Sequence, residues 1–168
     1  MTSREKPVRI RRNIQNYGDP YLRDLKPNEA AICRECRSVY AGYRWTVKGQ
    51  ATRDLAKAGR TVETLCPACR KIRDRMPGGI LKLSGKFLKE HVQEIVDLLN
   101  RENRKAIEVN PLGRIMDIDQ SDMELTVLTT NEKLAQKLGR AVHRAFSGEI
   151  EYQWSEDTKL ARVNWRRD

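Results

Sequence analysis

Ile32-Cys33-Arg34-Glu35-Cys36 and Leu65-Cys66-Pro67-Ala68-Cys69 are the two stretches that decide how the first half of this 168-residue chain folds. Each contains Cys-x-x-Cys, a spacing that places two sulfurs on one tight turn, and two such turns from distant parts of a chain complete a tetrahedron around zinc. Four thiolates leave no open position for water, so the spacing predicts a structural rather than a catalytic Zn²⁺. The predicted ligands are Cys33, Cys36, Cys66 and Cys69.

Disulfides, free thiols and an iron–sulfur cluster are the alternative states of four cysteines. The first residues, MTSREKPVRIRRN, lack the apolar stretch of a secretory signal, and no later apolar run is long enough to cross a bilayer. We therefore expect a cytoplasmic protein with no membrane partner. The reducing conditions of that compartment favour metal ligands over disulfides.

The positive charge of the chain is concentrated before Met76. Residues 1–76 contain 18 Lys and Arg against 8 Asp and Glu, whereas residues 77–168 contain 15 of each kind, so the first part carries the whole net charge of +10. Clustered Lys and Arg release condensed counterions when they neutralise phosphates. The asymmetry therefore predicts a polyanionic partner, with improved solubility as the alternative explanation.

The sequence predicts three segments. Residues 1–29 show no sustained apolar period and are interpreted as a flexible basic arm. Residues 30–76 contain every cysteine and are predicted to form a zinc-ribbon-like module with four cysteine ligands, in which residues 39–45 favour a strand pair and residues 52–58 a short helix. Pro77-Gly78-Gly79 marks a boundary before the last segment, residues 80–168.

Residues 80–168 alternate strand and helix patterns in the order β-α-β-β-α-β-β. Apolar residues recur at helical spacing from Lys86 to about Lys105, and a second helix is predicted from a Thr129/Glu132 capping box to just before Gly148. The predicted strands are residues 80–83, 114–118, 123–129, 150–154 and 161–165. This order predicts the α+β class: a split β-α-β, ferredoxin-like sandwich with both helices on one face of a mostly antiparallel sheet and one extra strand.

Basic residues surround the predicted metal ligands and fill the arm. The candidate nucleic-acid contacts are Arg4, Lys6, Arg9, Arg11, Arg12, Arg34, Arg37, Arg44, Lys48, Arg70, Lys71, Arg73 and Arg75. Tyr40, Tyr43 and Trp45 lie among them. These aromatic rings either stack on bases or pack around the metal site.

Catalytic patterns are missing from the sequence. His91 and His143 lie on predicted helices, in no known catalytic spacing with another residue. Asp117, Asp119, Asp122 and Glu124 form an acidic hairpin region, but their spacing matches no calcium loop or two-metal site, so a solvated turn is the preferred interpretation. We therefore expect a non-enzymatic protein.

The chain resembles small prokaryotic proteins assigned to the Nmd family. The resemblance is carried by Cys33-Arg-Glu-Cys36, Val39-Tyr40, Arg44-Trp45, Cys66-Pro67-Ala68-Cys69, the Pro-Gly-Gly boundary and Thr129-Thr130, and it extends in layout over residues 30–168. Larger archaeal and eukaryotic members are ribosomal large-subunit adaptors that begin with Cys-x-x-Cys zinc modules. The resemblance implies association with ribosomes or ribosomal RNA and metal ligation by the four cysteines.

Three hypotheses of function follow. The first is a zinc-containing RNA-binding protein associated with ribosomes or ribosomal RNA. The second is a zinc-ribbon transcription regulator that binds duplex DNA, since zinc modules and basic arms suit DNA equally well. The third is an RNA-processing enzyme that uses the acidic hairpin region, including Asp117 and Asp119.

Overall fold

The computed structural model describes residues 29–47, 49 and 60–168, and within them it contains two mixed β-sheets and three α-helices. The predicted α+β class is therefore confirmed. The predicted arm up to residue 28 and the predicted helix at residues 52–58 lie outside the described residues.

The first sheet has four strands in the order β3-β2-β1-β4. They are β1 (Glu29–Cys33), β2 (Val39–Ala41), β3 (Arg44–Thr46) and β4 (Arg60–Thr64). The predicted strand pair is the β2–β3 hairpin, and its turn residues Gly42 and Tyr43 both have positive φ, 57° and 67°. Neither β1 nor its parallel pairing with β4 was predicted.

Helix α1 (Pro67–Asp74) separates the two sheets along the chain. The elements that follow are β5 (Gly79–Ser84), α2 (Lys86–Val109), β6 (Ile115–Gln120), β7 (Glu124–Thr129), α3 (Glu132–Phe146), β8 (Glu149–Trp154) and β9 (Ala161–Arg166). They build a second sheet with the strand order β6-β7-β5-β9-β8. Three of its pairings are antiparallel, and β5 pairs in parallel with β9. Strands β6 and β8 form the two edges of this sheet.

The core of the second sheet lies on one face, which both long helices cover. Alternate strand residues are buried there, among them Leu81, Val127 and Trp165, and they pack with buried residues of α2 and α3. Gly139 permits the close approach of α3, because a Cβ at this position would lie 2.6 Å from Cγ1 of Val163. Within the described residues, no helix is both long and apolar enough to cross a membrane.

The predicted capping box of α3 is wrong. Asn131 is the cap, and its side-chain oxygen accepts a hydrogen bond from the N–H of Leu134 at 2.9 Å. Thr129 is the last residue of β7, and its hydroxyl instead donates to the carbonyl oxygens of Gly79 and Asn131 at 3.2 and 2.8 Å. Asn is at least as good an N-cap as Thr, so N-cap propensity gives no reason to prefer Thr129 over Asn131.

Candidate metal centre

The two cysteine pairs occupy different local structures. Cys33 ends β1, and Cys36 lies in the turn that follows, which is closed by hydrogen bonds from Arg37 N–H to Cys33 O at 2.9 Å and from Cys33 N–H to Ser38 O at 2.8 Å. Cys66 is the N-cap of α1, and Cys69 lies in its first turn. The sequence predicted two equivalent turns. The second pair instead lies at the start of a helix.

Proline explains why a helix begins at the second pair. Pro67 occupies the first helical position, where its fixed φ suits a helix and its missing N–H costs nothing. The Cys66 sulfur accepts a hydrogen bond from the Cys69 N–H at 3.4 Å, which serves as the N-cap interaction. The amino terminus of a helix also favours thiolates, because its free N–H groups carry partial positive charge.

The four sulfurs converge on one point. All four Sγ atoms lie within 4.8 Å of one another, and those of Cys36 and Cys66 are 3.7 Å apart. A tetrahedron with Zn–S bonds of about 2.3 Å has edges of about 3.8 Å, whereas a disulfide requires about 2.05 Å. The cysteines are free, and together they could hold a metal such as zinc.

Hydrogen bonds and burial shift the pKa values of the cysteine thiols in opposite directions. A hydrogen bond from Cys66, assisted by Ser38 and Arg114, lowers the pKa of Cys36 to about 3 in spite of burial. The same bond, together with burial, raises the pKa of Cys66 above its usual range. Burial raises the pKa of Cys69 to about 12. Several thiolates are therefore unfavourable at this point without a positive ion, and a coordinated metal removes the thiol protons.

Arg114 is a part of this site that sequence analysis missed. Its guanidinium donates to the Cys36 sulfur at 2.9 Å, to the Cys69 sulfur at 3.8 Å and to the Ser38 hydroxyl at 3.3 Å. Burial opposes the charge on Arg114, but the bond to Cys36 and the nearby sulfurs raise its pKa overall. No local sequence signal identifies this residue, because it lies 78 positions after Cys36.

Three of the candidate nucleic-acid contacts line one surface groove beside the cysteines. Arg34, Arg70 and Arg73 border a cavity of about 490 Å³ together with Glu63 and Asp74. The Arg70 guanidinium donates to the Thr64 hydroxyl at 3.4 Å, and Arg73 contacts Asp74 at 3.0 Å. The groove thus combines arginines from the first cysteine turn and from α1.

The other candidate contacts are separate from this groove. Arg37, Arg44 and Arg75 are exposed, and the half-buried Lys71 donates to the Thr130 carbonyl at 3.3 Å. Lys71 therefore contributes to a contact between the two parts of the chain. The remaining candidates, Arg4, Lys6, Arg9, Arg11, Arg12 and Lys48, lie outside the described residues.

The three aromatic residues of the first sheet have different environments. Trp45 packs against the cysteine cluster, and the ring centroids of Tyr40 and Trp45 are 5.6 Å apart. Tyr43 is 67% exposed at the tip of the β2–β3 hairpin. Packing around the cysteines therefore accounts for Trp45, and the ring contact with Trp45 accounts for Tyr40, whereas Tyr43 is available for contact with a partner.

The histidines and the acidic hairpin residues form no second cluster within the part of the chain that the structure describes. His91 stacks on Phe87 with ring centroids 4.1 Å apart and contacts Glu94 at 3.1 Å. Asp117 and Asp119 are exposed. Across the described ranges, the four cysteines are the only group of three or more His, Cys, Asp or Glu side chains close enough to share a metal ion.

Comparisons of the chain with protein-family models, curated proteins and solved structures give no match.

Proposed function

We propose that the protein is a cytoplasmic, non-enzymatic RNA-binding protein with one structural zinc ion on Cys33, Cys36, Cys66 and Cys69. Zinc is supported by the donor set, since four thiolates with tetrahedral spacing and no position for water are typical of structural zinc. In this proposal the ferredoxin-like segment, residues 80–168, positions the zinc module on its partner.

The observation that carries RNA binding is the groove of Arg34, Arg70 and Arg73 beside the cysteines. Guanidinium groups match phosphate oxygens in a fixed, two-pronged geometry. A metal on the cysteines would hold the first turn and α1 together, and these two elements carry the three arginines. The excess of Lys and Arg over Asp and Glu before Met76 adds electrostatic attraction for RNA phosphates outside the groove.

Substitution of Arg34, Arg70 and Arg73 by glutamine in the full chain tests this proposal. We expect the affinity for single-stranded RNA to fall at least about 10-fold near 0.1 M salt, because three phosphate contacts are lost, and the slope of log K against log salt to decrease by about 2, at about 0.7 per contact. Fluorescence anisotropy over a salt series measures both quantities.

The matched control replaces Arg101, Arg104 and Arg140, three arginines of α2 and α3, with glutamine. It removes the same charge, and we expect an unchanged salt slope. Equal losses in the two triple variants would mean that net charge, and not the groove, governs binding. Tighter binding of the wild type to duplex DNA than to RNA of equal length would favour the transcription-regulator hypothesis.

Tyr43 provides an independent prediction about bases. A bulky residue with positive φ is strained, and a type I′ turn prefers Asn or Gly at such positions. We expect Tyr43→Asn to stabilise the protein while weakening its binding to single-stranded RNA by roughly 5- to 100-fold, since base stacking contributes about 1–3 kcal/mol. Thermal unfolding and RNA titration measure the two opposite effects. Tyr43→Phe, which keeps the ring, should bind like the wild type; equal binding by all three proteins would exclude stacking.

Ribosome association is the part of the proposal that comes from the Nmd-family resemblance. We expect the protein to sediment with ribosomal particles from cell extracts, and RNase treatment should release it. Sedimentation away from ribosomal particles would leave RNA binding as a separate property and remove the ribosome as a partner.

A further inference from the structure

A loop of the second part of the chain lies directly on the cysteine cluster. Residues 110–114 connect α2 to β6, and Leu112 within this loop packs against the buried group that contains Cys33, Cys66 and Cys69. Arg114, at the end of the loop, reaches the sulfurs of Cys36 and Cys69. The candidate metal centre is therefore also a point where the two parts of the chain meet.

Hydrogen bonds fix the backbone of this loop. The Thr130 hydroxyl donates to the Leu112 carbonyl at 2.5 Å and accepts from the Arg114 N–H at 2.9 Å, and the Thr130 N–H donates to the Arg114 carbonyl at 2.9 Å. Asn103 of α2 accepts from the Ile115 N–H at 2.9 Å. Arg114 is thus presented to the sulfurs from a backbone that the second sheet and its helices already hold in place.

The charge of a loaded site explains why an arginine is needed there. Four thiolates and one divalent cation carry a net charge of about −2. A partly buried anion requires compensating charge and hydrogen bonds, and N–H groups that donate to metal-bound sulfur are part of what stabilises such sites. Arg114 supplies a positive charge and donors to two of the four sulfurs.

We propose that Arg114 couples metal binding to the docking of residues 80–168 on residues 30–76, the segment that contains the four cysteines, so that each event strengthens the other. The inference rests on the proposed metal centre and is independent of RNA binding. Coupling between two equilibria is reciprocal: if the docked loop tightens metal binding by some factor, metal binding favours the docked loop by the same factor.

Arg114→Met in the full chain tests the coupling, because methionine keeps much of the aliphatic stem and removes both the charge and the donors. We expect zinc affinity, measured by competition with a chromophoric chelator, to fall roughly 10- to 100-fold, the range typical when a residue that supports metal ligands is replaced. Arg114→Lys keeps the charge but loses the two-pronged geometry, so its zinc affinity should lie between those of the wild type and Arg114→Met. Arg101→Met, an exposed change on α2, should leave affinity unchanged.

Hydrogen exchange gives a readout that a general loss of stability would not reproduce. In the wild type, zinc should slow exchange of the amides of Leu112, Arg114 and Thr130. In Arg114→Met this zinc-dependent protection should be lost, while the amides of β5 and β9 keep theirs. If Arg114→Met does not fold, the same comparison of hydrogen exchange with and without zinc is made with Arg114→Lys. Unchanged zinc affinity, together with exchange in the loop that does not respond to zinc, would overturn the proposal.

Discussion

Cys66→Ser is expected to abolish zinc binding and to remove all zinc-dependent stabilisation of the region around β1, β4 and α1. The substitution is selective because Cys66 is the N-cap of α1, and serine is among the best N-cap residues. It therefore preserves the start of the helix while it removes one of four thiolates. A structural zinc site contributes about 10 kcal/mol or more to folding at neutral pH, so the loss should be large.

Thermal unfolding with and without zinc checks this expectation. Zinc should raise the Tm of the wild type strongly, chelation should lower it, and Cys66→Ser should behave like the chelated wild type under both conditions. Thr46→Ala is a suitable control, since it removes a buried hydroxyl of the same sheet whose hydrogen bond goes to the Val39 carbonyl and not to a cysteine. If Cys66→Ser were as stable as the zinc-loaded wild type, the cysteines would not form a structural metal site.

Trp165→Ala is the second large expected effect, and it concerns the second sheet. Trp165 is 1% exposed, its ring packs edge-on against Phe87 at 6.4 Å, and its Nε1–H donates to the Ser147 carbonyl at 2.6 Å. Removal of such a side chain leaves a cavity and an unpaired carbonyl, which together cost about 3–5 kcal/mol. The free energy of unfolding from denaturant titration should fall by this amount.

Trp154→Ala is the matched control for this prediction. Trp154 is 59% exposed on the edge strand β8, so its removal should change the free energy of unfolding by less than about 1 kcal/mol. Comparable losses for the two tryptophans would contradict the core assignment. Both variants should keep the zinc content of the wild type, because neither residue belongs to the group of side chains packed around the cysteines in the described structure.

Local patterns predicted the second sheet well. The helix predicted from Lys86 to about Lys105 spans Lys86–Val109, and each predicted strand after Gly79 has a counterpart within a few residues. The apolar residues of β5, β7 and β9 face a single core, so the periodicity there reflects burial directly, whereas Tyr152 and Trp154 on the edge strand β8 are exposed. The parallel pairing of β5 with β9 was not predicted, because pairing partners are not encoded in either strand alone.

The region around the cysteines was predicted less completely. In β1, Ala30 and Ala31 are buried, but alanine gives no strand signal, and the parallel partner β4 begins some thirty residues later. Helix α1 has only eight residues, too few for a clear periodicity. The four clustered cysteines themselves were identified from their spacing. Arg114 was missed because its role depends on a contact between distant parts of the chain.

The central claim is that the four cysteines hold a zinc ion that stiffens the arginine-bearing surface. The most direct measurement is elemental analysis of the full-length protein purified from cells without added metal or chelator. We predict about one zinc ion per chain, released when the thiols are blocked by a mercurial reagent. A correctly folded protein that contains no metal would contradict this account.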